Sequence, residues 1–222
     1  MSTIAPFKVL FLCTGNSARS ILAEFLLRKR GQGAFETYSA GVHPRSEVNP
    51  NALRVLREVY QIDATEARSK SIDEFIGKPF DFVITVCDHA RETCPVWPAY
   101  TVLSHWGSPD PSAFRGSEQE TLEVFRKVAL QIQRRIDLLC SLPLAGLDHD
   151  RRERASRAIG DKEKMAEQKS FECYEKGPHR NKWLWPNRPS HSKGSLELAR
   201  VRLGGCERDK GRCRMRCASN EF

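Results

Sequence analysis

Residues 8–13, Lys-Val-Leu-Phe-Leu-Cys, make a short apolar run that ends on a cysteine, and the chain then passes through Thr-Gly-Asn-Ser-Ala-Arg-Ser into the helical spacing of Ile-Leu-Ala-Glu-Phe-Leu-Leu. A continuous run of this kind reads as a strand buried on both faces. The turn after it has a fixed form: five residues separate Cys13 from Arg19, and Ser20 follows directly. Five residues let the backbone curl around a tetrahedral oxyanion, with N–H groups pointing inward at the positive end of the helix dipole. Thr14, Gly15, Asn16, Ser17 and Ala18 are therefore the expected cradle. Arg19 closes it with a planar fork that grips two oxyanion oxygens. The same field is expected to lower the Cys13 pKa and hold the thiolate, with Ser20 donating a further hydrogen bond to it.

The rest of the chain to about Leu147 repeats the alternation of strand and helix. Phe35–Gly41, Asp81–Cys87 and Tyr100–Trp106 read as further strands. Pro50–Tyr60 and Glu118–Leu142 carry apolar residues at helical spacing, the latter long enough to cover a sheet. This predicts an α/β fold, a three-layer, doubly wound, four-stranded parallel sheet whose ligands bind at the carboxyl ends of the strands. Cys13 and Cys87 both fall at that end.

Charge divides the chain. The formal net charge is +8, of which residues 1–147 supply +1 and residues 148–222 supply +7. We therefore read residues 1–147 as the folded domain and 148–222 as a basic, mostly disordered extension. Its start, DHDRRERASRAIGDKEKMAEQK, has the composition of a charged helix, but 177–205 has no sustained period and contains Pro178, Pro186 and Pro189. Cys206, Cys213 and Cys217 lie among arginines near Cys173, His179 and His191, yet their spacing does not match the short C-x2-C knuckles of zinc sites. No metal and no specific nucleic-acid partner is expected. No apolar run reaches the length of a membrane span, and the opening residues lack the order of a secretion signal, so a cytoplasmic, monomeric protein is expected.

CTGNSARS followed by ILAE, YSAG at 38–41, VNP at 48–50 and HWGSPDP at 105–111 occur in an order that resembles the low-molecular-weight tyrosine phosphatase fold, and within it the thioredoxin-coupled arsenate reductases. The resemblance spans about residues 6–145 and none of the extension. It implies that Cys13 is the nucleophile and that Asp110, in the Asp-Pro after the fourth strand, is the general acid. It further implies that Cys87 and Cys94 are second and third redox cysteines, and that thioredoxin, or a glutathione/glutaredoxin system, resets the enzyme without any bound cofactor. On a helix, seven positions advance about 10 Å, whereas a disulfide needs Cα atoms within about 7 Å. The segment between Cys87 and Cys94 must therefore loop out to join them.

Two departures from the family pattern bear on function. Some of these reductases bind potassium through residues matching Asn16, Glu24, Ser39 and an aspartate; here the last position is Lys70, which implies an ammonium in place of the ion. Ser112 follows Asp110-Pro111 where the phosphatases carry a tyrosine, so a ring to stack on an aromatic substrate is missing. A phosphatase acting through Cys13, Arg19 and Asp110 is the alternative reading, and truncation after Leu147 is expected to leave catalysis intact.

Overall fold

The computed structural model describes residues 5–161. Its elements run β1 (Phe7–Cys13), α1 (Arg19–Gly31), β2 (Phe35–Gly41), α2 (Pro50–Glu58), β3 (Phe82–Thr85), α3 (Asp88–Glu92), β4 (Val102–His105) and α4 (Glu118–Cys140), followed by α5 over 149–161. All strand pairs are parallel, in the order β2-β1-β3-β4. This is the helix-flanked parallel sheet that the alternation predicts, with β3 and β4 shorter than their apolar runs.

Chain order reverses between β1 and β3, which lie side by side. A crevice opens at the carboxyl ends of strands where such a reversal occurs. β1 closes on Cys13, and Cys87 lies two residues past the end of β3. Val9, Leu10, Phe11 and Leu12 of β1 are wholly buried, and so are Phe82 and Ile84 of β3. The pair is the centre of the sheet, and the site sits at its end.

The helices follow from local chemistry. Asn49 caps α2, its side chain accepting from the Asn51 N–H at 2.9 Å, with Pro50 at the first helical position. Ser117 and Glu120 close a reciprocal capping box on α4. Leu122, Phe125, Val128, Ala129, Ile132, Ile136 and Leu139 form the buried stripe of α4, and Arg135 lies on the same stripe. In contrast, α1 begins at Ala18 with no side-chain cap, which leaves its first N–H groups to the loop before it.

Packing does not stop at the expected boundary of Leu147. α5 turns back onto β4: Ser156 is fully buried, Ile159 joins the core, and the Ser156 and Ser104 hydroxyls meet at 2.8 Å. The indole N–H of Trp106 donates to the Ser156 carbonyl at 3.0 Å. Of the segment read as a charged helix, residues 149–161 are a helix and a structural part of the sheet unit. The expectation of disorder beyond it, and the cysteines and histidines from Cys173 onward, lie outside the described residues.

Gly160 makes the closest of these approaches, since a Cβ there would stand 2.1 Å from the His105 carbonyl oxygen. Helix propensity alone favours alanine over glycine by about 1 kcal/mol. We expect the opposite sign: Gly160→Ala should lose about 1–3 kcal/mol by overpacking. Gly146, which has open space around its Cβ position, should change by no more than about 0.5 kcal/mol as Gly146→Ala. Urea unfolding of the two variants checks the contrast.

Candidate active site

The loop between β1 and α1 is shaped from outside. Carbonyls of Cys13, Thr14, Gly15 and Ser17 accept N–H bonds from Val42, His43, Arg45 and Asn49 at 2.8–3.1 Å. These bonds fix four of the loop's carbonyls against the segment after β2. The Asn16 N–H points at Cys13 Sγ from 3.0 Å. Asn16 holds φ at +41°, a left-handed conformation that asparagine tolerates better than most residues. Gly41 provides the room: a Cβ there would come within 2.8 Å of the Thr14 carbonyl and 2.9 Å of the Asn16 N.

Cys13 is 3% exposed and meets the Ser20 hydroxyl at 2.8 Å. Burial pushes its thiol above the ordinary range; the Ser20 hydroxyl, the Arg19 guanidinium and the Asn16 N–H pull the other way without overcoming it, and Cys87 adds a further upward push. The expected depression is therefore not found, because desolvation of the thiolate outweighs the loop's field. A thiol with a dianionic substrate carries the same protons and charge as a thiolate with a monoanion. The proton on Cys13 can thus pass to the incoming oxyanion without any change in the net charge of the complex.

Arg19 spans to the far wall. Its Nη1 donates to the Ser108 carbonyl at 3.0 Å, and its Nη2 stands 3.2 Å from Asp110 Oδ2. Asp110 uses its other oxygen to cap the turn at the Ser112 N–H, 3.0 Å away. The carboxyl is thus both a turn cap and a partner of Arg19, open to solvent on one side.

Cys87 is 5% exposed, and its sulfur lies 3.3 Å from the Thr14 hydroxyl. Cys13 and Cys87 are thereby brought to one rim. Cys94 is not: it follows α3, half-buried, and lines a separate cleft with Thr85, Leu103 and His105. Burial pushes its thiol up, and the Trp97 indole pulls against that. All four cysteines among the described residues are free thiols. α3 is held at its start by His105, which meets Thr85 Oγ1 at 2.8 Å through Nδ1 and Asp88 Oδ1 at 3.1 Å through Nε2.

Behind the loop lies a buried polar knot. Lys70 Nζ sits 2.9 Å from Glu24 Oε2, with both side chains at most 10% exposed. The Ser39 hydroxyl donates to the same carboxylate oxygen at 2.6 Å. Asn16 Nδ2 donates to Ser39 and Ser20 at 2.8 Å each, and Asn16 Oδ1 accepts the Lys70 N–H at 2.7 Å. The four sequence positions proposed as a cation site are indeed one cluster. Among the described residues, no group of three or more His, Cys, Asp or Glu side chains is arranged to hold a metal, and no helix is long and apolar enough to cross a membrane.

Sequence reading missed Thr14 as a partner of Cys87, the Ser108 carbonyl as a seat for Arg19, and Arg135. Only Arg135 left a signal, a charge on the apolar stripe of α4. The other two are contacts between distant segments or through the backbone.

A thiol in an N–H-lined loop at a helix start, with an arginine and an aspartic acid opposite, defines a phosphate-loop cysteine enzyme. The sequence profile of the low molecular weight phosphotyrosine protein phosphatase family matches residues 8–153, and the chain belongs to that family. Within it, the chain is 40% identical over 128 residues to an arsenate reductase of Halalkalibacterium halodurans, covering 58% of this chain and 91% of that one. It is 37% identical over 128 residues to the arsenate reductase of Bacillus subtilis, with the shares 58% and 91%. A solved structure described as an arsenate reductase in oxidized state aligns with a TM-score of 0.51 at 31% identity, covering 60% of this chain and 96% of that chain.

The elevated Cys13 thiol gives a pH test with a definite sign. Iodoacetamide alkylation of Cys13, mapped by mass spectrometry, should be slow at pH 7 and climb as pH rises past 8.5, the ordinary thiol range being about that value. Ser20→Ala removes a contact that lowers the pKa, so at pH 8 it should slow alkylation further, by about tenfold for a hydrogen bond worth about 1.4 kcal/mol.

Proposed function

We propose that this enzyme reduces arsenate to arsenite. The observation that carries the reading is the second buried cysteine, Cys87, facing the nucleophile's loop through Thr14, a group that phosphate-ester hydrolysis does not need. The arsenate reductases among its relatives support the same choice.

Arsenate enters the loop and is gripped by its amides and Arg19. The Cys13 sulfur forms a bond to arsenic as one As–O bond breaks, and Asp110 protonates the departing oxygen so that it leaves as water. Cys87, as thiolate, then attacks the Cys13 sulfur. The S–S bond forms, the S–As bond breaks, and its electron pair stays on arsenic, which departs as arsenite. Cys94 attacks Cys87, producing a Cys87–Cys94 disulfide and releasing Cys13. A dithiol reductant, thioredoxin or a glutathione/glutaredoxin system in the cytoplasm, returns two electrons and two protons. The sum is arsenate plus two thiols giving arsenite, water and one disulfide. α3 must uncoil for the third step, because Cys87 and Cys94 flank it.

Lys70 in this reading stands where a cation would otherwise bind, holding Glu24, Ser39 and Asn16 in place behind the loop. Lys70→Asp should make arsenate turnover depend on added potassium by about tenfold, the effect of about 1.4 kcal/mol restored by the ion. Turnover indifferent to potassium in that variant would discount the role.

Phosphate fits the same loop, so p-nitrophenyl phosphate is assayed beside arsenate. The deciding experiment is arsenite production from arsenate with thioredoxin, thioredoxin reductase and NADPH, and with glutathione, glutaredoxin, glutathione reductase and NADPH. Cys87→Ser should abolish turnover. Cys94→Ser should release a single arsenite per enzyme and leave Cys13 joined to Cys87. Strong phosphatase activity with no arsenate-dependent NADPH oxidation in either system would replace the reductase reading with the phosphatase one.

A further inference from the structure

Arg135 is fully buried on the apolar stripe of α4, between Ile132, Ile136 and Leu139. A guanidinium carries a large desolvation penalty in such a place and is tolerated only where its donors are used. Its Nη1 donates to the Trp106 carbonyl at 2.9 Å and to the Ser108 hydroxyl at 2.8 Å. These two residues bracket Gly107 in the turn that leaves β4. The same turn gives its Ser108 carbonyl to Arg19 at 3.0 Å, and two residues later brings Asp110 to the other arm of Arg19 at 3.2 Å.

The turn is anchored from a second direction. The Trp106 indole N–H donates to the Ser156 carbonyl at 3.0 Å, and Ser104 meets Ser156 through the hydroxyls at 2.8 Å. Ser156 and the rest of α5 past Glu153 lie beyond the stretch matched by the family profile. Backbone that leaves a strand is ordinarily the most mobile part of an α/β site. Here a charged donor and α5 both hold it at Trp106.

We propose that Arg135 is a positioning residue for Arg19 and Asp110, and that α5 is its second anchor. The inference rests on the reading of Arg19 as oxyanion ligand and Asp110 as acid. It places the start of the extension within the catalytic framework, against the expectation that the chain past Leu147 is dispensable.

The test uses full-length variants. Arg135→Met should lower kcat by about 10- to 100-fold, the cost of a displacement of about 1 Å at reacting groups, and weaken phosphate protection of Cys13 against alkylation. Arg135→Lys, which keeps a buried donor, should recover about tenfold of that loss. Leu139→Ala, a fully buried position one turn further along α4, controls for stability: it should lower Tm as much and keep kcat within about threefold of the wild type. Should Arg135→Met fail to fold, Ser108→Ala removes one acceptor with Arg135 intact and should still lower kcat by about threefold to tenfold. The proposal is overturned if Arg135→Met tracks Leu139→Ala in kcat, if Arg135→Lys is no better than Arg135→Met, or if Ser108→Ala has wild-type kcat. Asp110→Asn is assayed in parallel. Wild-type turnover in that variant would refute the acid reading by itself, and positioning would then be judged on phosphate protection through Arg19, where unchanged protection in Arg135→Met overturns it.

Discussion

Asn16 supports the site from a conformation that few side chains accept. At φ +41° its backbone turns the loop so that the N–H reaches Cys13 Sγ, while its side chain, wholly buried, ties Ser20, Ser39 and the Lys70 backbone together. A left-handed non-glycine residue costs free energy that the surroundings must offset. Gly41 makes this possible by lacking the Cβ that would strike the loop, and N–H groups of 42–49 hold the loop's carbonyls. The loop from Cys13 to Ser20 therefore depends on β2 and the segment after it as much as on its own eight residues.

The buried knot behind Asn16 explains why a cation is wanted there. Glu24 is a buried carboxylate directly under an anion-binding loop, where an uncompensated negative charge would weaken both the loop's field and the fold. Lys70 from the following segment and Arg28 from the next turn of α1 each place a cationic nitrogen 2.9 Å from one of its oxygens. A fixed ammonium supplies this charge at any salt concentration, whereas an ion does so only when its concentration exceeds its dissociation constant. Through Lys70 the compensating charge is part of the chain itself.

The apolar runs and the Cys-x5-Arg spacing are enough to predict β1, α1 and the loop between them, because a buried parallel strand and a helix start each leave a local pattern. The same holds for Asp110, whose turn is written in its Asp-Pro pair. What local pattern could not carry is the sign of the balance at Cys13: the donors around it are legible, but the degree of burial that defeats them belongs to the assembled sheet. Arg135 and Ser156 fail to announce themselves for a related reason. A buried arginine looks like a break in a stripe, and a serine in RERASRAIG looks like part of a solvated face, until Trp106 and Ser108 are brought to them.

The proposed redox relay would set requirements on these same anchors. Cys13 and Cys87 lie at one rim, linked through Thr14, whereas Cys94 could reach Cys87 only if α3 gave way. α3 is five residues long, has no side-chain cap at Cys87, and is held at its first turn by the His105–Asp88 contact. So short a helix owes its order to such contacts more than to its own hydrogen bonds, which makes it the part of the site least costly to unwind. The acid turn beside it must not follow. Trp106 comes immediately after His105, and it is there that Arg135 and α5 take hold, so the rigid and the yielding halves of the site meet between adjacent residues of one strand end.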